Sequence, residues 1–295
     1  MNLYDLYRQR LELGLDAVAL DKQLTRHVQQ VLIHHELLDP PADGLFGPLT
    51  TRALHKFQHL VNLSENWLGY KTAKALIETP TNVTKVKTLQ LGSSFADRIV
   101  RAMMERGYYV ARNPGEINIV YLEGVNLDGR LNDDAPNQFN DLRLVISCVD
   151  TPRIIGKWEA TTEPGTYYTQ NPVNPGGAAR IKFGQYKAWK VDTHWSRTEP
   201  HAALVQAKKI LVYRDRNKDM LRTGDKLHSD ASFVNQHHGF DYPRKNIAFA
   251  SAGCLVGRTR SGHFEFMNLV KRDSRYRANK NYLFYTAIMD GAWVQ

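Results

Sequence analysis

The sequence predicts an α+β protein of two domains, a small three-helix domain over residues 1–80 and a mainly β domain over residues 116–295. Apolar residues recur at helical spacing in the first part of the chain, whereas short β-like runs separated by Gly, Pro, Asn and Asp dominate the second part. A polar, proline-containing stretch lies between them. A chain of 295 residues is long enough to form two hydrophobic cores.

The first periodic segment runs from Asp21 to Leu38 and is followed by two prolines, which predicts one amphipathic helix with a sharp end. Gly47 and Pro48 suit the N-cap and first position of a second helix, which we expect to end near Val61. A shift of 22 residues then aligns residues 46–54 with residues 68–76, with Gly, Thr, Ala and Leu coinciding. Two half-copies, each too small for a core, predict a compact unit in which each half covers the other.

Residues 43–58 match the pattern Asp-Gly-x-Phe-Gly-x-x-Thr-x-x-Ala-Leu-x-x-Phe-Gln and so resemble the peptidoglycan-binding domain family. The resemblance implies a shallow groove near the two turns that binds stem peptide or glycan. In the second half, Glu65-Asn66 stands where the family has another Asp-Gly, so we expect a looser turn there. An alternative for Phe46 and Trp67 is a place in the core or lid of the bundle. The candidate contacts that the resemblance implies are Asp43, Phe46, Gln58 and Trp67.

The polar stretch at Thr79–Asn82 predicts the domain boundary, with a linker and one helix expected over residues 81–115. The periodic run that predicts this helix is Phe95–Met104. Apolar runs after it predict strands at Ile117–Leu122, Leu142–Val149, Ile154–Ala160, Ile181–Phe183 and Ile210–Tyr213.

A net charge of +9 and a pI near 9.4 favour an anionic partner, and the bacterial wall is one. Recognition-helix, zinc-finger and strand-aromatic motifs are absent from the sequence, so nucleic acid is not expected as a partner. Without a run of 18 apolar residues, stable membrane insertion is not expected either. Charged residues interrupt Met1–Leu20, so we expect synthesis in the cytoplasm without a signal peptide and action at the cell wall or periplasm.

Two cysteines occupy different settings. Cys148 ends an apolar strand-like run, which favours a buried thiol. Cys254 follows Gly253 in a loop, downstream of His237 and His238. A cysteine nucleophile needs an imidazole to take its proton, and a neighbouring glycine lets backbone N–H groups approach an oxyanion. We therefore expect the Cys254 thiolate to form below the ordinary thiol pKa of about 8.5.

The order of histidine before cysteine resembles the L,D-transpeptidase (YkuD-type) catalytic domain, whose loop reads Ser-His-Gly-Cys. Ser251, Gly253 and Cys254 match that loop, while Ala252 replaces its histidine. Arg258, a candidate for binding a stem-peptide carboxylate, follows after three residues where the family usually has one. The NlpC/P60 and CHAP families carry cysteine first and fit poorly. The resemblance implies an L,D-transpeptidase-like domain over residues 116–295 whose cysteine is acylated by a stem peptide.

Two histidines compete for the role of base, 17 and 16 residues before Cys254. If they lie on a strand, His237 and His238 point to opposite faces, and only one reaches the thiol. We favour His237, because similar phage wall-enzyme sequences carry a single strand-end histidine followed by a basic or aromatic residue.

No cofactor or metal is expected. Asp215–Asp219 has oxygens at alternate positions like a calcium loop, but Met220 and Lys226 stand where the loop needs Gly and Glu, which favours a polar hairpin turn. A zinc peptidase is a weaker interpretation, since no HxxxH or HExxH pair accompanies the remaining histidines. These histidines are His194, His201, His228 and His263.

The sequence thus predicts a peptidoglycan-anchored hydrolase or transpeptidase acting on peptide stems, similar to a phage endolysin. The competing hypothesis is a non-catalytic wall-binding protein with a vestigial Cys/His site.

Overall fold

The computed structural model describes residues 1–81, 89–196, 199–230 and 233–295. Contacts divide the chain into two compact units, Met1–Leu89 and Gln90–Gln295. The architecture is α+β. Asn82 of the expected joint lies outside the described residues. Within the described ranges, no helix combines the length and apolar character needed to cross a membrane.

The first unit contains more helices than the three expected. Its described residues form α1 (Leu3–Arg8), α2 (Leu15–Leu20), α3 (Lys22–His34), α4 (Pro48–Leu60) and α5 (Tyr70–Glu78), with a short antiparallel pair of β1 (Glu12–Leu13) and β2 (Leu68–Gly69). The extra helices, α1 and α2, have six residues each, too few to show a helical period. They complete the core, because Leu3, Leu6 and Val18 are buried in the same cluster as α3, α4 and α5.

The α3 and α4 helices begin as the sequence predicts. The Asp21 carboxylate caps α3 by accepting from the backbone N–H groups of Gln23 and Leu24. Gly47 is the N-cap of α4, and Pro48 occupies its first position. Because Glu36 adopts a positive φ of 59°, α3 ends before the predicted Leu38.

Two buried glutamines hold the two turns of the internal repeat. The Gln29 side-chain amide donates to the Leu45 carbonyl and the Thr50 hydroxyl at 3.1 and 3.2 Å. The Gln58 amide donates to the Trp67 carbonyl and the Thr72 hydroxyl at 2.9 and 3.1 Å. The partners of Gln58 lie 22 residues after those of Gln29, the shift that aligns the two half-copies in the sequence.

The two turns differ at one hydrogen bond. Gln29 Oε1 accepts from the Gly44 N–H at 2.7 Å, and Gly44 has a φ of +77°. Gln58 Oε1 is buried without a hydrogen-bond partner among the residues that the structure describes. Asn66 stands at the position of Gly44 in the second half, so the second turn lacks the bond that the glycine provides.

The helix expected within the linker belongs to the second unit. Described elements of this unit are α6 (Phe95–Glu105), β3 (Asn118–Glu123), β4 (Asp141–Ser147), β5 (Arg153–Thr161), α7 (Thr166–Gln170), β6 (Ala178–Ile181), β7 (Gly184–His194), β8 (His201–Gln206), β9 (Ile210–Asp215), β10 (Lys226–Asp230), β11 (Gln236–His238), β12 (Leu255–Gly257), α8 (Arg260–Arg272), α9 (Ser274–Ala278), β13 (Phe284–Asp290) and a final 3₁₀ turn (Gly291–Val294).

Eight strands form a closed mixed sheet in the order β11-β12-β5-β4-β3-β13-β7-β8. Two neighbouring pairs are parallel, β11 with β12 and β13 with β3. A smaller sheet has the order β10-β9-β6. Four of the five strands predicted from apolar runs correspond to β3, β4, β5 and β9, whereas the predicted Ile181–Phe183 shares only Ile181 with β6. Cys148 is fully buried directly after β4, as expected.

The predicted hairpin turn after Asp215 is confirmed, because β9 and β10 pair antiparallel on either side of it. The buried Asp215 carboxylate accepts from the backbone N–H groups of Asp219 and Met220 at 3.2 and 3.0 Å. This carboxylate therefore has a structural partner within the turn itself.

Candidate active site

The candidate site is built on the parallel pair β11 and β12. His237 pairs with Val256, and the Leu255 N–H donates to the Asn235 carbonyl at 2.9 Å. Because side chains alternate along a strand, Asn235, His237 and Cys254 lie on one face and His238 on the other. The Asn235 N–H points at Cys254 Sγ, 3.4 Å away.

The loop before β12 is shaped by Ser251 and Gly253. The Ser251 hydroxyl accepts from the Gly253 N–H at 3.1 Å and donates to the Cys254 carbonyl at 3.0 Å. Gly253 has a φ of +120°, and a Cβ there would lie 2.4 Å from the Ala179 carbonyl oxygen. Only glycine fits this position without a backbone shift. Ser251 and Gly253 therefore hold the loop that presents Cys254.

Cys254 and His237 open into the same cavity of about 910 Å³. Its rim carries exposed apolar side chains, with Tyr167 and Phe249 in contact at a ring-centroid distance of 4.5 Å. His238, Ser251, Gly253 and Arg258 do not line it. The lining residues are Tyr167, Tyr168, Val173, His194, Ser196, His237, Phe240, Tyr242, Phe249, Ala250, Ala252, Cys254 and Arg260.

The His237 imidazole has a defined tautomer. Its Nδ1 lies 2.8 Å from the His238 carbonyl oxygen and therefore carries the proton that is donated to it. In the neutral ring this leaves Nε2 with a free lone pair, which is the state a general base needs. Because the His238 carbonyl orients the His237 ring, no third side chain is needed to hold this imidazole in place.

His238 lies near His201 and Phe240, as His237 does, but its closest contacts differ. Its ring stacks on His201 with centroids 3.7 Å apart, and its Nε2 lies 3.5 Å from the Glu199 carboxylate. The Phe240 N–H donates to its Nδ1 at 3.3 Å. Of the two histidines that the sequence leaves open, His237 lines the cavity with Cys254 and His238 does not.

Sequence reasoning overlooked His194 as a site residue and considered it only as a zinc ligand. Its ring is parallel to that of His237, with centroids 4.0 Å apart and 7° between the planes. The Asn235 side chain bonds to His194 Nδ1 at 3.0 Å. His194 ends β7, so only the closure of the sheet brings it to His237, and no local pattern in the sequence could reveal it.

Electrostatics correct the expectation of a ready-formed thiolate. Burial raises the pKa of the Cys254 thiol to about 11, with the Asn235 N–H opposing that shift. Burial, together with the nearby His194, lowers the pKa of His237 well below its usual value. At neutral pH the resting pair is thus a neutral thiol beside a neutral imidazole. Burial also raises the pKa of Cys148, to about 12.

Arg258 does not take the role that the sequence suggests. Its Nε lies 2.5 Å from the Glu159 carboxylate, which also pairs with Arg244 at 3.2 Å. The arginine that lines the cavity is Arg260, which reaches Glu199 and Asp241 at 2.7 and 2.6 Å. Leu255–Gly257 form strand β12 between Cys254 and Arg258.

The candidate wall contacts in the first unit separate into two kinds. Gln58 is buried and hydrogen-bonded within the fold, so it is a structural residue rather than a surface contact. Asp43 accepts from the Leu45 N–H and the Gln29 amide at 2.9 and 2.8 Å and fixes the first turn. Trp67 is 38% exposed. Phe46 lines a shallow depression beside the start of α4, together with Gly47, Pro48, Thr51, Arg52 and His55.

In the described part of the chain, the carboxylates of Glu123, Asp134 and Glu163 approach closely enough to share a cation. Glu123 is already paired with Arg222 through both oxygens, and Glu163 with Arg180 at 2.7 Å. These residues are not among those that line the Cys254 cavity. Glu123 and Glu163 thus belong to buried ion pairs, and Asp134 is exposed beside them.

No family model and no curated protein matches this chain. Among solved structures, it is similar to a fused Zn-dependent amidase/peptidase/peptidoglycan-binding domain-containing protein from Clostridium acetobutylicum, with a TM-score of 0.30 and 13% identity over 94% of this chain and 96% of that one. It is also similar to an L,D-transpeptidase from Xylanimonas cellulosilytica, with a TM-score of 0.26 and 14% identity over 95% of each chain.

Proposed function

We propose that this protein is a cysteine-dependent enzyme that cleaves or rejoins the peptide stems of peptidoglycan, with Cys254 as nucleophile and His237 as general base. One observation carries the proposal. Cys254 and His237 lie on one face of two adjacent parallel strands and open into one cavity, and the Nδ1 proton of His237 is committed to a backbone carbonyl. We propose that these two side chains, carried on neighbouring strands, act as nucleophile and base.

The first chemical step starts from neutral groups. The Cys254 Sγ attacks the carbonyl carbon of a stem peptide while its proton passes to His237 Nε2, so that the S–C bond forms as the S–H bond breaks. The Asn235 N–H, 3.4 Å from Sγ, stabilises negative charge that develops on sulfur. Because the resting thiol is neutral, this is general-base catalysis and not attack by a standing thiolate.

The intermediate then collapses. The C–N bond breaks, and the leaving amine takes the proton from the His237 imidazolium, which leaves an acyl thioester on Cys254. In the second half-reaction, His237 removes a proton from the acceptor as it attacks the thioester; the S–C bond then breaks, and His237 returns the proton to Cys254 Sγ. Water as acceptor gives a peptidase, and an amine gives a transpeptidase.

The rest of the chain is consistent with a wall substrate. The first unit contains the Asp-Gly turn and repeat that resemble a peptidoglycan-binding domain, and the protein carries a net charge of +9. We propose that this unit anchors the enzyme on the anionic wall, with the exposed Trp67 and the partly buried Phe46 as candidate contacts and Asp43 as a turn residue. A cytoplasmic origin and an endolysin-like role at the wall belong to the same proposal.

Incubation of the purified full-length protein with sacculi, followed by mass spectrometry of the soluble muropeptides, tests this function. The wild type should release or exchange stem peptides, and Cys254→Ser should abolish this while still co-sedimenting with peptidoglycan. The matched control is Cys148→Ala, which changes the other thiol and should retain the products. Full product formation by Cys254→Ser would refute the cysteine mechanism.

A non-catalytic wall-binding protein is the second candidate. The raised pKa of Cys254 and the alanine at position 252, where the resembled loop has a histidine, favour it. In that case the wild type would sediment with sacculi without changing their muropeptides, and the cavity would serve to bind a stem peptide.

A further inference from the structure

His194 provides a cavity-lining imidazole that the mechanism above does not use. It is partly exposed at the end of β7 and lines the cavity together with His237 and Cys254. Its ring lies flat on that of His237. The question is which of its two nitrogens carries the proton.

The hydrogen bonds of Asn235 identify the protonated nitrogen of His194. The Gln206 backbone N–H, which can only donate, points at Asn235 Oδ1 from 3.0 Å. The amide oxygen is thereby fixed, and the amide nitrogen faces His194 Nδ1 at 3.0 Å. Since Nδ2 donates, Nδ1 of His194 accepts, and the neutral ring carries its proton on Nε2.

The surroundings keep this ring neutral. Burial, with the neighbouring His201, lowers the pKa of His194 to about 4. The titratable groups that face it are His201, 5.3 Å away between ring centroids, and His237 at 4.0 Å. No carboxylate among the described residues is paired with it. At neutral pH the ring is a hydrogen-bond donor without charge.

We propose that His194 is a further catalytic residue, whose Nε2–H donates to the carbonyl oxygen of the stem peptide that Cys254 attacks. This inference rests on the proposed function. The chemical class that it selects is an amide carbonyl, whose oxygen gains charge in the transition state. The Gly253 N–H does not compete for this role, because it is already bonded to the Ser251 hydroxyl.

His194→Phe is the decisive variant, because phenylalanine keeps a ring against His237 and removes the donor. Its kcat/KM for peptide release should fall about 100-fold, the typical loss for one oxyanion donor. His194→Gln, which restores an N–H, should recover most of this loss. His201→Phe is the matched control: it changes the other stacked histidine, on His238, and should leave kcat/KM within about threefold of wild type.

A second measurement distinguishes the loss of the His194 hydrogen-bond donor from a structural effect of the substitution. Iodoacetamide reacts with Cys254 at a methylene carbon and forms no oxyanion, so His194→Phe should leave its alkylation rate nearly unchanged. His237→Ala should lower both alkylation and peptide release. Unchanged kcat/KM in His194→Phe, or an equal loss in alkylation, would overturn the proposal.

A measurement that does not depend on peptide release tests the His194 proposal if the proposed function is wrong. If wild type releases no peptide, nitrogen NMR of the histidine side chains still reports the His194 tautomer. A proton on Nε2 between pH 6 and 8 would leave a fixed amide-carbonyl donor in the cavity, for which perturbation of the His194 signals by a stem tripeptide is then expected. A proton on Nδ1, or no perturbation, would contradict the proposal.

Discussion

Two consecutive histidines, His237 and His238, differ in their nearest contacts in the structure. His237 faces the cavity and donates to the carbonyl of His238, whose own ring stacks on His201. The contribution of His238 to the site is thus its backbone. The motif around Cys254 could be predicted from sequence because it is local, whereas His194 and Arg260 could not, since only tertiary contacts bring them to the cavity.

At the residue scale, we expect substitutions of His237 and His238 to differ in their effect on the reactivity of the Cys254 thiol. His237→Ala should lower iodoacetamide labelling of Cys254 at pH 7 by about tenfold or more, and His238→Ala should change it by less than about twofold, because its backbone carbonyl remains. In wild type, labelling should keep rising above pH 9, since burial raises the pKa of Cys254 to about 11. Rates at several pH values, with labelled peptides identified by mass spectrometry, check this. A plateau by pH 7 would mean that a thiolate is already formed.

Among the elements, the amphipathic helices α3, α4 and α6 were predicted from the sequence, whereas the equally long α8, the strand β7 and the short strands of the site were not. The helices α3, α4 and α6 have 11 to 13 residues and show their apolar stripe in the sequence. The three-residue strands β11 and β12 contain no period, and they are defined by their pairing partners. The strands that carry the candidate site, β11 and β12, are therefore among the elements that are hardest to predict from local sequence.

The internal repeat leads to a prediction about stability. Asn66→Gly should let the second turn adopt the conformation of the first and donate an N–H to Gln58 Oε1, which has no partner within the described ranges. The expected gain is about 1 kcal/mol in the free energy of unfolding of the first unit. Thermal and urea unfolding of the full chain would measure it.

Gly44→Ala is the matched change in the first turn. Because Gly44 has a φ of +77° and its added Cβ would lie 3.2 Å from the Lys22 carbonyl oxygen, this variant should lose about 1 to 2 kcal/mol. If Asn66→Gly destabilises the protein instead, the second turn cannot adopt the hydrogen-bonded conformation of the first.

At the scale of the whole molecule, five histidines of the second unit share a lowered pKa caused mainly by burial, namely His194, His201, His237, His238 and His263. A base with a lowered pKa in the folded state stabilises the fold above its unfolded pKa of about 6.5, and this stability is lost as the pH falls. For each of these histidines, lowering the pH from 6.5 towards about 4 therefore reduces the free energy of unfolding.

His201→Phe should therefore flatten the pH dependence of stability. Below pH 6.5 the unfolded wild type takes up one more proton at His201 than the folded protein, a slope of up to about 1.4 kcal/mol per pH unit. The free energy of unfolding at pH 7.5, 6 and 5 should show this slope reduced in the variant. His228→Phe, at a histidine in the exposed β10 strand, is the control and should keep the wild-type slope. Parallel curves for wild type and His201→Phe would contradict the assignment.

The parallel pairing of β11 and β12 has a kinetic consequence. Parallel neighbours cannot be joined by a tight turn, so residues 239–254 must cross back before β12 can dock beside β11. Contacts between distant parts of a chain form slowly. Strand β12 also pairs with β5, through Val256 and the distant Thr161, so we expect Cys254 to reach its place late in refolding, with its thiol open to oxidants until then. A refolding buffer with a reducing agent should give a higher yield of protein with a free Cys254 than one without.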